Sequence, residues 1–332
     1  NNDKLVAPQG VFVTDDSIWV CDTGNNRLVE FDKKTLDFKQ IIDPPESQLL
    51  SDNAAYKPIA MAIDQYGRIY VVSSSTNQGV IVMNSEGAFV GFIGAQAVTI
   101  SAWEILWRSL QTDAQRKASA TKTSVIYNNI AISQEGFIYV TTSGIEESSV
   151  AGDITSKAKD GTYMPVKMLN TNGDDILNRN GFFPPSGEVT VAKVALNDEP
   201  TGASTMVDVA IGPENTWSII DQKRQRIFTY DKNGNLLFAF GDEGDQLGNL
   251  EMITSICYQL ANGMNNIIVL DAGDGGLSAP TVNVYSRTAA GVIVMRLGDG
   301  NRIVTVSRLE KSEEIEAESQ ALDKEAAEKL IN

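Results

Sequence analysis

The chain contains no histidine among its 332 residues. That absence removes Ser-His-Asp and Cys-His nucleophile arrangements, histidine-ligated zinc and histidine general bases. Any chemistry here has to run on carboxylates, lysine, tyrosine, cysteine or a hard metal ion. Cysteine is scarce too. Cys21 and Cys257 stand far apart and read as two small buried thiols, with one closing disulfide as the alternative. Two cysteines do not fix the redox compartment. No apolar run reaches the ~18 residues that suggest a membrane-spanning helix. Basic residues are outnumbered, 27 Lys and Arg against 43 Asp and Glu, for a net charge of −16. Sequence-independent binding of nucleic acid needs cations to neutralise phosphates, so this balance argues against a nucleic-acid partner. It argues equally against docking on an anionic membrane surface. The chain opens Asn1-Asn2-Asp3, as a trimmed start would, with room for a signal peptide upstream.

What is present is a repeat. Ile18 to Phe31 reads as an apolar run, Asp22, a polar turn through Gly24 and two Asn residues, Arg27, and a second apolar run. That is a β-hairpin: Ile, Trp, Val, Leu and Phe suit a half-buried pleated surface, and Gly and Asn tolerate the positive φ of a tight connection. The same unit recurs over Gly10–Ile42, Pro58–Gly94, from Asn129 to about Leu169, Val207–Gly241 and Ile253–Leu297. Each copy has strands separated by Gly- and Asn-containing turns. In the third copy the third strand is displaced to about Tyr163–Leu169, behind a polar loop from Ser143 to Gly161. Asp22, Ser73, Thr142, Asp221 and Asp271 align at the end of the second strand. Asp22 with Arg27, and Asp221 with Arg226, are expected to staple neighbouring strands. One four-stranded unit cannot bury both of its faces; copies stacked around an axis can, and that is an all-β propeller.

Pro8-Gln9-Gly10-Val11, Ile18 through Arg27, and Arg226 through Leu236 resemble the NHL-repeat family of propellers. The resemblance covers most of residues 5–297 and implies six blades, against five clear copies. Asn301–Ser307 joined to the N-terminal segment, or Glu188–Leu196, are the candidates for a sixth. The propeller is expected to span residues 5–308, followed by a C-terminal helix over 309–332 that opens a further helical module or packs on the propeller.

Two insertions interrupt the repeat. Val98–Ala118 places Trp103, Leu106, Trp107 and Leu110 at helical spacing, an apolar stripe that packs on its own domain or meets a partner. Asn178–Gly187 is an irregular loop anchored by Phe182 and Phe183. These four aromatic residues are the candidate ligand contacts. Trp103 through Arg108, Thr112 through Lys117 and Leu177 through Pro185 are similar to insertions in a bacterial subset of the family. Those longer proteins carry helical repeats and a membrane-spanning region after the propeller. The resemblance therefore implies an extracytoplasmic domain, tethered to the membrane through regions outside this chain.

Candidate chemistry is carboxylate chemistry. Family members that act as lyases depend on histidine, which this chain lacks. Lactonase-type propellers hold a divalent metal with Glu, Asn and Asp in the central channel, and oxygen-only ligands suit calcium. Asp208, Asn129 and Asp64 lie near first strands, which line a propeller channel, and are the candidate metal ligands; ordinary turn and strand-end roles are the competing reading. Asp231-Lys-Asn233-Gly-Asn235 imitates the start of a calcium loop, but Leu236 stands where the sharp turn needs Gly, so it reads as a hairpin turn. Two functions follow: a non-enzymatic propeller binding a protein, peptide or glycan at a bacterial envelope, or a metal-dependent hydrolase or lactonase.

Overall fold

The computed structural model describes residues 4–46, 56–76, 78–94, 126–145, 147–156, 164–179, 187–190, 200–244, 249–261, 264–273, 281–286 and 289–296. Blade one comprises β1 (Val11–Val13), β2 (Ser17–Asp22), β3 (Arg27–Asp32) and β4 (Phe38–Ile42). Blade two comprises β5 (Pro58–Ile63), β6 (Ile69–Ser73), β7 (Val80–Met83) and β8 (Phe89–Ile93). Blade three has β9 (Asn129–Ile132), β10 (Ile138–Thr141) and β11 (Val166–Leu169), with helix α1 (Glu147–Ser156) between its last two strands. A short ribbon of β12 (Val189–Thr190) and β13 (Gly202–Ala203) precedes blade four, which is β14 (Met206–Ile211), β15 (Trp217–Asp221), β16 (Arg226–Tyr230) and β17 (Leu236–Phe240). Blade five is β18 (Ile253–Ala261), β19 (Met264–Asp271), β20 (Thr281–Ser286) and β21 (Ala289–Arg296). Every blade pairs its strands antiparallel in chain order. First strands pack in succession: β1 on β5, β5 on β9, β9 on β14, and β14 on β18. The described residues thus form a propeller of five blades.

The core lies in layers between blades. Side chains alternate across a strand, so one blade feeds two layers. On β14, Val209 packs with Tyr139 and Val166 of blade three, while its neighbour Ala210 joins Ile253 and Ile256 of blade five. Trp19, Leu28, Met61 and Ile81 share the layer between blades one and two. Trp217 is fully buried, stacks on Tyr230 at 4.6 Å and donates its indole N–H to the Asp231 carbonyl.

Turns on one side of the blades share a device. The Oδ1 atoms of Asp64, Asn84, Asn170 and Asp231 each accept the backbone N–H groups two and four residues on. Three residues after each stands a glycine, Gly67, Gly87, Gly173 and Gly234, at φ +78, +84, +86 and +79. The side chain mimics a turn carbonyl and glycine supplies the left-handed step. Asp231 is therefore a hairpin cap, as its sequence context indicates.

The structure departs from expectation in several places. Part of the segment read as a polar loop over Ser143–Gly161 is helix α1. Within the second candidate for a sixth blade, Val189–Thr190 instead pairs with Gly202–Ala203 as a two-stranded ribbon. The other candidate, 301–307, lies outside the described residues, as do the helices expected over 98–118 and 309–332. Cys21 is buried, but Cys257 is exposed, and both are free thiols. Among the described residues no helix is long and apolar enough to cross a membrane.

Candidate functional site

The aligned column at the second-strand ends is a set of latches. Asp22 Oδ1 accepts the Val6 N–H at 2.7 Å, Ser73 Oγ the Lys57 N–H at 3.0 Å, and Asp221 Oδ1 the Thr205 N–H at 3.0 Å. The Thr142 hydroxyl donates to the Ile126 carbonyl at 2.8 Å, and Asp271 accepts the N–H groups of Glu251 and Met252. Each latch ties the second strand to the segment entering its own blade. Asp22 and Arg27 form a buried pair at 2.8 Å. Asp221 and Arg226 are register partners, yet Arg226 reaches Glu188 at 2.9 Å while Arg224 takes Asp221 at 3.2 Å. The expected second staple is exchanged because β12 brings Glu188 alongside.

The three candidate metal ligands divide between two locations. Asp64 sits in the turn after β5. Its Oδ2 pairs with Arg68 at 2.6 Å and accepts the Tyr70 hydroxyl. Burial pushes its carboxyl up, but hydrogen bonds from Arg68, Tyr66 and Tyr70 outweigh this and hold it below the ordinary range. Asn129 and Asp208 stand at equivalent places near the start of β9 and β14. Each accepts the N–H of its own next residue at 2.7 Å. Asp64 lies four residues further along the equivalent strand, ~13 Å at strand rise, so it does not join them. Among the described residues no group of three acids or cysteines could hold a metal ion.

Asp208 has a different task. Its Oδ2 accepts the Ile256 N–H at 2.8 Å and the Ser255 hydroxyl at 2.9 Å, across the boundary to blade five. Gly10 of blade one occupies the matching position, where a Cβ would lie 2.6 Å from the Ile59 carbonyl of blade two. First strands approach too closely there for a large side chain. Burial pushes the Asp208 carboxyl up to about 6 despite its three hydrogen bonds.

A cleft of about 160 Å³ opens between blades three and four, lined by Thr142, Ser143, Val150, Pro165, Ser204 and Thr205 among others. Helix α1 and Lys223 border it. Its wall combines hydroxyl-bearing residues with Ile145, Val150, Pro165 and Ala203 and with the charged pair Glu147 and Lys223. Sequence reading missed this site because its parts come from blade three, α1, the ribbon and the turn after β15. Trp103, Trp107, Phe182 and Phe183, the expected ligand contacts, lie outside the described residues.

No family model matches the chain, and no curated protein matches it in sequence. Solved structures with a similar arrangement include three at low identity. Hydrazine synthase of Kuenenia stuttgartiensis has 12% identity over 88% of this chain and 66% of that one, with a TM-score of 0.49. A catalytically inactive virginiamycin B lyase from Staphylococcus aureus, with quinupristin, has 10% identity over 87% and 73%, TM-score 0.46. The calcium-binding protein regucalcin from Agrobacterium tumefaciens has 12% identity over 89% and 75%, TM-score 0.44. At these identities and TM-scores the likenesses carry no functional argument, and the propeller reading rests on the strand pairing of the chain itself.

Proposed function

We propose that this chain is a non-enzymatic binding module that takes a polypeptide ligand in the cleft between blades three and four. The observation that carries this reading is the division of labour among polar groups. Asp22, Asp64, Asp208, Asp221 and Asp271 are engaged by backbone amides and neighbouring side chains that hold the blades, and the Thr142 and Ser204 hydroxyls are tied into the fold in the same way, whereas the exposed Ser143 rim, Thr205 and the Glu147–Lys223 pair border the open space of the cleft. Such a wall suits backbone amides and short side chains of a peptide. Its lining contains no aromatic platform, which favours peptide over glycan. Function on a propeller has to be argued from a site rather than from the fold, and the cleft between blades three and four supplies one.

In its cellular setting the module works on the outer side of a bacterial membrane, tethered through regions beyond this chain. That part rests on the resemblance of its insertions, and cell fractionation of the full-length protein tests it. The binding reading is tested by selecting peptide binders and repeating the measurement with Ser143→Trp, which fills the cleft from its exposed rim. Loss of binding supports the reading; unchanged affinity overturns it. Turnover of a lactone or ester that requires a divalent ion and vanishes in Asp208→Asn would establish the hydrolase alternative instead.

A further inference from the structure

The cleft already holds a carboxylate, supplied by the chain itself. Glu147, at the start of α1, places Oε1 3.1 Å from the Ala203 N–H and 3.0 Å from Lys223 Nζ. Between these donors lies Gly202, at φ +89, and a Cβ there would overlap Glu147 Oε1. The seat is thus a backbone amide, an ammonium and a glycine floor kept open for an oxygen. The Arg224 guanidinium donates to the Gly202 carbonyl and holds the ribbon in place. The Lys223 hydrogen bond keeps the Glu147 carboxyl below its ordinary range, with Lys223 and Arg224 adding favourable charge.

The resident group is lightly held. Glu147 is more than half exposed, and Val150 is the buried side chain of α1 among those described. A side chain more than half exposed at a helix end leaves its seat far more easily than a blade strand does.

We propose that Ala203, Lys223 and Gly202 form a carboxylate-binding site that Glu147 plugs, and that a ligand carboxylate enters by displacing it. This rests on the binding reading above and gives the ligand its chemistry: an extended peptide or small acid that presents a carboxylate. An internal group at high effective concentration taxes the ligand's apparent affinity, and removing that group lifts the tax.

The test uses the full chain and three probes: acetate, a dipeptide with a free C-terminal carboxylate, and its C-terminal amide. Binding is read from the Ala203 amide resonance and from calorimetry. Glu147→Ala should bind the free-acid dipeptide at least about tenfold tighter than wild type, and the amide no tighter than before. Adding Lys223→Met to that variant should remove the gain. Acetate binding as tightly as the dipeptide would assign the ligand to small acids; a clear preference for the dipeptide would assign it to peptide termini. Glu147→Gln, which keeps the side chain's shape, should give an intermediate gain and covers the case in which the alanine variant misfolds. Equal affinities for acid and amide, or no gain in either Glu147 variant, overturns the proposal. Peptide binding that ignores the carboxylate would sink this inference alone, whereas absence of any peptide binding would sink the module reading as well.

Discussion

Asp208 should make the stability of this protein fall as pH rises through about 6. Its carboxyl is buried between blades four and five, with three hydrogen bonds and no salt-bridge partner among the described residues. Burial raises its pKa from 3.8 to about 6. Between those values the folded chain keeps a proton that the unfolded chain has released. Stability changes with pH in proportion to protons bound unfolded minus folded, so here it declines as pH increases. The contribution is fully present below the unfolded pKa and lost above about 6. At ~1.4 kcal/mol per unit, the whole effect is about 3 kcal/mol. Roughly half of it, ~1.4 kcal/mol, falls between about pH 5 and about pH 8, a range that stays above the sequence pI of 4.5. The assay is urea unfolding of wild type and Asp208→Asn across that range. Asparagine cannot ionise, and it leaves the Ile256 N–H facing an amide, a cost that does not vary with pH. Other titrating groups cancel in the difference between the two proteins. The variant should gain about 1.4 kcal/mol on wild type from the acid to the alkaline end. A difference constant with pH would refute the view that this carboxyl is charged at a cost inside the blade boundary.

Asp22→Ala should destabilise the fold by about 3–5 kcal/mol, because it strips the carboxylate facing buried Arg27 and unlatches Val6. Chemical denaturation measures the loss, and faster proteolysis ahead of Pro8 should accompany it. The two glycine turns should separate under substitution. Gly67→Ala meets only the Ser85 Cβ at 3.5 Å and should cost about 1–2 kcal/mol for its left-handed backbone; Gly234→Ala also collides with the Asn178 carbonyl and should cost more, with both read from urea midpoints. One thiol, the exposed Cys257, should react with a disulfide reagent in the folded protein, slowed because partial desolvation by its neighbours and the nearby Asp208 charge raise its pKa, while Cys21 should react only on unfolding. Two equally fast thiols would contradict the placement of Cys21 in the layer between blades one and two.

Much of the blade arrangement was legible because it is local. A strand, a turn glycine and a second strand lie within some fifteen residues, and the aligned Asp, Ser and Thr positions mark the second-strand ends correctly. What those residues hold was not legible. Asp22 and Asp221 look alike in sequence, yet only Asp22 keeps the expected arginine, since the ribbon delivers Glu188 to Arg226. Asp64 and Asp208 both read as possible metal ligands; one caps a turn and the other bonds across a blade boundary.

The sequence by itself determined the class of fold and the chemistry that lies out of reach. Alternating apolar runs with turn glycines dictate small antiparallel sheets, and a chain without histidine has no histidine base to offer. Tertiary structure alone decided which polar groups are occupied and where a carboxylate can sit. Residues 147, 202, 203 and 223 meet only because stacking blades three and four brings distant turns together, and that proximity leaves no local pattern in the chain.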